Sequence, residues 1–306
     1  MSHHVRRLAL PAALSTIALL LLACSAGGAI PTAAPTGGPS VDPSASPSGS
    51  PASDVIDHKT GATDVILRYE EGGGFMMAGW AASQVPHFTL YGDGTVIFRN
   101  PMLETPPAQG SVFIFNPLRT AKLDEAQIQE LLLLALRDGG LAGARPNYEN
   151  DMVADASTAI FMIEAGGISK TVSVYALGLD VPGVADGPAR AAFLKLAERL
   201  TDFDQGGKIP TEIHEPKAYR AVLIESPGAV APDLRTWPWP DLTVADFQPD
   251  ADPNGIQFPH RTMTPAEVEL LGVRDVQGGF QGMLVTGTDG KTYTVALRPL
   301  LPGESA

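Results

Sequence analysis

The chain has 306 residues, of which 44% are hydrophobic and 18% charged, with a net charge of −13 and a single cysteine. That length holds one large domain or two small ones, and the acidic balance disfavours nucleic acid and anionic lipid headgroups as electrostatic partners. A lone cysteine leaves no intramolecular disulfide, so the folded part is held by its core alone, and a chain of this size can bury enough surface for that.

Arg6 and Arg7 precede an apolar run, Leu8 to Ala23, of 16 residues, which is short of the ~20 that cross a bilayer as a helix. The run ends Leu21-Leu22-Ala23-Cys24, which resembles the lipobox of bacterial lipoproteins. The resemblance implies cleavage before Cys24 and a diacylglycerol on its thiol. Loss of residues 1–23 would remove both arginines and no acid, moving the charge from −13 to −15. The expected location is the outer face of a bacterial membrane, with the bilayer as partner through the acylated N-terminus. Next come Pro31, Pro35, Pro39, Pro43, Pro47 and Pro51, one at every fourth position among Gly, Ser, Ala and Thr. Such spacing denies a helix and offers no apolar face, so residues 24–62 read as a disordered tether reaching roughly 35 Å when flexible.

The folded part is expected over residues 63–306. "DVILRYE" is the first strand, with Val65, Leu67 and Tyr69 alternating against Ile66 and Arg68. A glycine-rich loop, "EGGGFMMAGWAAS", follows. "HFTLYGDGTVIFRN" reads as a hairpin about Gly92-Asp93-Gly94, and "SVFIF" as a further strand. "LDEAQIQELLLLALRDGG" places Ile128, Leu131, Leu132, Ala135 and Leu136 on one helix face, with acids in its first turn and Gly139 at its end. "TAIFMIEAGGISKTVSVYAL" is a second hairpin, and Ala189, Phe193, Leu196, Leu200 and Phe203 mark a second buried helix face. Residues 63–205 therefore form a main module, an antiparallel sheet with hairpins covered by two helices.

Residues 206–306 read as a smaller C-terminal lobe: the strand "AYRAVLIES", a long proline-rich loop over 235–260, a short helix and a closing hairpin about Asp289-Gly290. Thr264, Pro265 and Glu267 form a capping box on that helix. One helix and three strands are too little for a separate core, so the fold class is α+β in a single globular unit. "FTLYGDGTVI", the L-x-E-x-x-I-x-x-L helix, Y-x-x-x-x-x-A-D-A-x-T and "YTVALRPLLP" together resemble uncharacterised bacterial lipoproteins over most of residues 63–302. These motifs are turns and strand cores. The resemblance implies a fold and a location and carries no catalytic residue.

No motif names a reaction. "GTDGKT" has two residues where a Walker loop has four, and a strand follows it. "DADPNG" begins like a calcium loop, which makes Asp250, Asp252 and Asn254 a calcium candidate. Its twelfth position is Arg261 instead of Glu, and an acidic turn is the better reading. "HEPKA" at His214 lacks the second histidine of a zinc helix, and "KTG" at Lys59 has no S-x-x-K companion. No metal and no cofactor is therefore expected. Glu149, Asp151 and Asp155 are the densest carboxylates near an element boundary, where a hydrolase pair could form.

The remaining oddity is aromatic. Phe75, Met76, Met77, Trp80, Trp237 and Trp239, which include all three tryptophans, fall in segments read as loops. Such groups on loops suit a recognition surface, and equally they seal the ends of a core. The expectation is a tethered, non-enzymatic binding or accessory domain for an envelope ligand or protein. The alternative is an exported hydrolase with a carboxylate pair.

Overall fold

The structure, a computed structural model, describes residues 55–100, 105–179, 182–229, 232–249 and 258–305. Cys24, residues 24–54 of the expected tether, and Asp250, Asp252 and Asn254 lie outside them. Among the described residues no helix is long and apolar enough to cross a membrane.

The fold is α+β. Strand β1 (Val65–Gly72) leads to a short helix α1 (Ala78–Ala82), the hairpin β2 (Phe88–Tyr91) and β3 (Thr95–Phe98), and then β4 (Phe113–Ile114) and β5 (Arg119–Lys122). Helix α2 (Glu125–Leu133) ends in a π turn and is followed by β6 (Asn147–Tyr148), the hairpin β7 (Thr158–Ala165) and β8 (Ile168–Tyr175), and helix α3 (Gly187–Thr201). The last third supplies β9 (Glu212–Ile213), β10 (Tyr219–Glu225), β11 (Arg235–Thr236), β12 (His260–Met263), α4 (Pro265–Glu269), and the hairpin β13 (Phe280–Thr286) and β14 (Thr292–Pro299).

The first sheet runs β6-β8-β7-β1-β2-β3-β5-β9. Helices α2 and α3 cover one face, where Ile128, Leu132, Phe193, Leu196 and Leu200 meet Leu67, Phe88, Phe98 and Phe161. Asp124 starts α2 through a full capping box: its carboxylate accepts from the Gln127 N–H, and its own N–H donates to the Gln127 side chain. The register of β1 shifts between Val65 and Leu67, so Ile66 and Leu67 are both fully buried, where strict alternation would have separated them.

The packed chain begins before residue 63. The Ile56 N–H donates to Gln129 Oε1 at 2.7 Å, Gln129 Nε2 donates back to the Ile56 carbonyl at 2.9 Å, and the Gly166 N–H donates to the Asp57 carbonyl at 2.7 Å. Ile56 also packs on the core, which is why residues 55–62 belong with the sheet.

The second sheet runs β11-β13-β14-β10-β12, with β4 on β13 beside β11. It has a core of its own, which corrects the expectation that the last third is too small for one. Trp239, Phe247, Val268 and Leu271 cover Ala221, Leu223, Phe280, Val285, Val295 and Leu297. Part of this core comes from elsewhere in the chain, since Val112 and Ile114 of the β4 segment join it. In return β9 pairs with β5 in the first sheet. The two sheets therefore exchange strands, and residues 53–306 form one compact unit.

The proline-rich loop folds inward. Trp239 is 1% exposed and its Nε1 donates to the Glu267 carbonyl at 2.9 Å, while Trp237 Nε1 donates to the Leu242 carbonyl at 2.7 Å. Their rings meet edge to face at 5.1 Å, with Phe247 beside both. Trp239→Ala should cost about 3–5 kcal/mol in urea unfolding of the full-length protein, whereas Phe75→Ala at an exposed position should change stability by less than about 0.5 kcal/mol.

Candidate functional site

A cleft of about 390 Å³ opens where β1 ends, β2 begins and β3 ends, and β4 closes it from the second sheet. Its apolar wall is Met76, Trp80, Phe113 and Phe115. Trp80 lies 5.7 Å from Phe113 and edge-on to Phe115 at 5.2 Å, and the two phenylalanines are 5.7 Å apart, so the three rings form one cluster. Its polar lining includes Glu71, His87, Arg99 and Asn116.

Each polar group is placed by a strand end. Arg99 follows β3, and its N–H donates to the His87 carbonyl at 2.9 Å, so the two residues face each other at the mouth of the hairpin. Arg99 Nη2 donates to the Gly278 carbonyl at 2.6 Å, its guanidinium lies 5.2 Å from the Phe115 ring centre, and its Nε is buried without a partner. Gly278 is required at this point. A Cβ there would stand 2.1 Å from the Asn116 carbonyl oxygen, so only glycine lets this backbone approach β4 and reach Arg99. Beneath, Asn100 donates to Asp204 at 2.8 Å and Asn116 Nδ2 donates to the Asn100 carbonyl at 3.3 Å, a buried polar layer that fixes both chain segments.

The electrostatics follow from burial. Burial pulls the Arg99 guanidinium down to about 10, which leaves it a cation at neutral pH. No carboxylate among the described residues forms an ion pair with it. Burial lowers the His87 imidazole and outweighs Glu71, which pulls the other way, while Arg99 lowers it further. His87 is therefore neutral near pH 7, stacked on Tyr69 at 5.4 Å. Tyr69 donates to Glu71 Oε1, and burial first and then Glu71 raise the Tyr69 phenol far above its ordinary value. Among the described residues, the charged side chains lining the cleft are thus Glu71 and Arg99, of opposite sign, with the neutral His87 ring near both.

The structure does not bring the two aromatic segments together. Met76 and Trp80 line the cleft, while Phe75 and Met77 stand 90% and 69% exposed beside it. The segment holding them is partly helical, a correction to its reading as a loop. Gly73 and Gly74, at φ +76° and +75°, turn the chain off β1, and α1 then lies on β14, β10 and β13. It packs on the side of the sheet that carries Arg220, Val222 and Arg298. Trp237 and Trp239 belong to the other side, with Tyr219, Ala221 and Leu223 of the same strand β10. They hold a core and line no part of the cleft.

Glu149, Asp151 and Asp155 do not line the cleft, whose described lining contains a single carboxylate, Glu71. Among the described residues no three His, Cys, Asp or Glu side chains gather as metal ligands. Glu71, His87 and Arg99 were not singled out from sequence. For His87 and Arg99 the available signal was a titratable or charged residue directly bounding the mostly apolar strands of a hairpin, in "PHFTLY" and "TVIFRN". No family model matches the chain, and no curated protein and no solved structure matches it.

His87 and His214 are both lowered, by burial first in each case, so the folded state resists their protonation. Their contribution to stability is complete above the unfolded value of about 6.5 and is lost as pH falls toward the lowered folded values. Thermal unfolding should show Tm falling as pH drops below about 6.5, with a shallower fall in His87→Gln. A Tm that is flat or rising over that window would contradict the placement of these rings.

Proposed function

We propose that this chain is a lipid-anchored envelope protein whose folded part binds a small ligand in the cleft between its two sheets. The observation that carries the binding reading is the cleft itself: an aromatic wall beside two opposite charges that no ion pair among the described residues neutralises. Buried or half-buried charge without a partner is costly, and it persists where something else supplies the partner. A concave, mostly apolar site with a few converging polar groups is the usual form of a small-molecule site, and about 390 Å³ is within the range of such sites.

The anchoring reading rests on Leu21-Leu22-Ala23-Cys24 after an apolar run too short to span a bilayer. His58 bridges to Ala165, at the end of β7, whereas the cleft lies by Gly72, which pairs with Thr158 at the start of β7. The eight residues of β7 set this entry point about 24 Å from the cleft.

Mass spectrometry of the protein extracted from its own envelope tests both halves. The wild type should begin at a diacylated Cys24 and release a bound small molecule on denaturation. Cys24→Ser should persist as the uncleaved, unacylated precursor, and Trp80→Ala should keep the acyl mass while losing the small molecule. An acylated Cys24→Ser protein would end the anchoring reading, and an equal yield of small molecule from Trp80→Ala would end the cleft reading.

A further inference from the structure

We propose that the cleft takes a small zwitterion with an apolar body, a free amino acid or short peptide, whose carboxylate meets Arg99, whose amine meets Glu71 and whose side chain lies on Trp80, Phe113 and Phe115. This deepens the reading of the cleft as a ligand site and rests on it.

The ligand class follows from what the cleft offers and what it lacks. Arg99 has one guanidinium nitrogen committed to the Gly278 carbonyl and no carboxylate partner among the described residues. Glu71 accepts from the Tyr69 hydroxyl and has no cation on it among the described residues. Glu71 stands on β1 and Arg99 at the end of β3, two strand spacings apart, roughly 10 Å at the backbone. His87, at the start of the intervening strand, feels both charges. As a neutral ring it carries one N–H donor and one acceptor nitrogen, so it can serve either end of a ligand without adding charge.

Three simpler ligand classes each leave a group unmatched. An anion alone satisfies Arg99 and sets a second negative charge beside Glu71. A cation alone does the reverse, against Arg99. A neutral hydrocarbon covers the rings and buries both charges further, which is the costliest outcome. A zwitterion pairs both charges, and its apolar part covers the ring cluster, where aromatic contact adds to burial. Phe113 and Phe115 come from the β4 segment that pairs with the second sheet, and the Arg99 guanidinium lies against the Phe115 ring. The cation thus adjoins the apolar wall, as the carboxylate of an amino acid adjoins its hydrophobic side chain.

Equilibrium dialysis of radiolabelled ligands against the full-length protein in detergent tests this. The probes are L-phenylalanine and alanyl-phenylalanine, with 3-phenylpropionate carrying the acid only and phenethylamine the amine only. At least one of the zwitterions should bind about tenfold or more tightly than either single-charge analogue. Glu71→Gln should erase that preference over 3-phenylpropionate, and Arg99→Gln should erase the preference over phenethylamine. Should Arg99→Gln fail to fold, the Glu71→Gln contrast decides alone. If a single-charge analogue binds the wild type as tightly as the zwitterions, and Trp80→Ala removes that binding, the ligand class is wrong and the cleft remains the site. If binding survives Trp80→Ala, the cleft reading fails as well. No binding by any probe overturns the zwitterion and leaves the cleft to the mass-spectrometric comparison.

Discussion

The pairing of β4 with β13 is the contact on which the rest of the structure depends. Phe280 pairs with Ile114 and Gln281 with Phe113, and the Phe115 N–H continues the ladder to the Gly279 carbonyl at 3.0 Å. Through these few bonds a segment lying between two strands of the first sheet becomes an edge strand of the second. Ile114 points into the second core, so its neighbours Phe113 and Phe115 are left to face the first sheet across the gap. The same approach brings the Gly278 carbonyl within reach of Arg99. One short strand thus completes a core, walls a cleft and holds the cation in it.

The reciprocal contact is β9, whose Ile213 pairs with Arg119 of β5, while Arg119 Nη2 donates to the Thr211 carbonyl at 2.7 Å. Because each sheet contains a piece of the other's chain segment, neither is complete without its partner. Such exchange ties the sheets together without a disulfide, consistent with a chain whose only cysteine is Cys24. It also sets a constraint. A small third core joins Tyr91 and Ile97 of the first sheet to Leu118 and to Leu301, just after β14, and the cleft lies at the junction where β4 meets the first sheet. Leaving a cation and a carboxylate at that junction costs stability, a cost that folded proteins concentrate at their functional sites.

What the sequence made legible was local. The hairpin about Gly92-Asp93-Gly94, the hairpin about Gly166-Gly167, the capping box at Thr264 and the apolar faces of α2 and α3 all stand where their spacing put them. These depend on residues a few positions apart. Helix α1 escaped because five residues rich in Ala and Gly have no periodicity and no side-chain N-cap; tertiary contact with the second sheet holds it. The switch of "SVFIF" from one sheet to the other was invisible, since it rests on partners about 165 residues away. The tryptophans of the proline-rich loop misled for a related reason: prolines forbid regular structure but not burial, and Trp239 is among the largest fully buried side chains. Glu71, His87 and Arg99 come from three strand ends with no common spacing, so only the fold assembles them.

Hydrogen exchange at the Phe115 amide tests this account most directly, because that single N–H reports whether the first half of the chain is joined to the second sheet beside the cleft. In the full-length protein the account predicts slow exchange, with protection comparable to the amides of β13, since opening it requires separating the two sheets. Exchange at the rate of an exposed loop, with β13 still protected, would show that β4 is not part of the second sheet and that the cleft has no fixed wall.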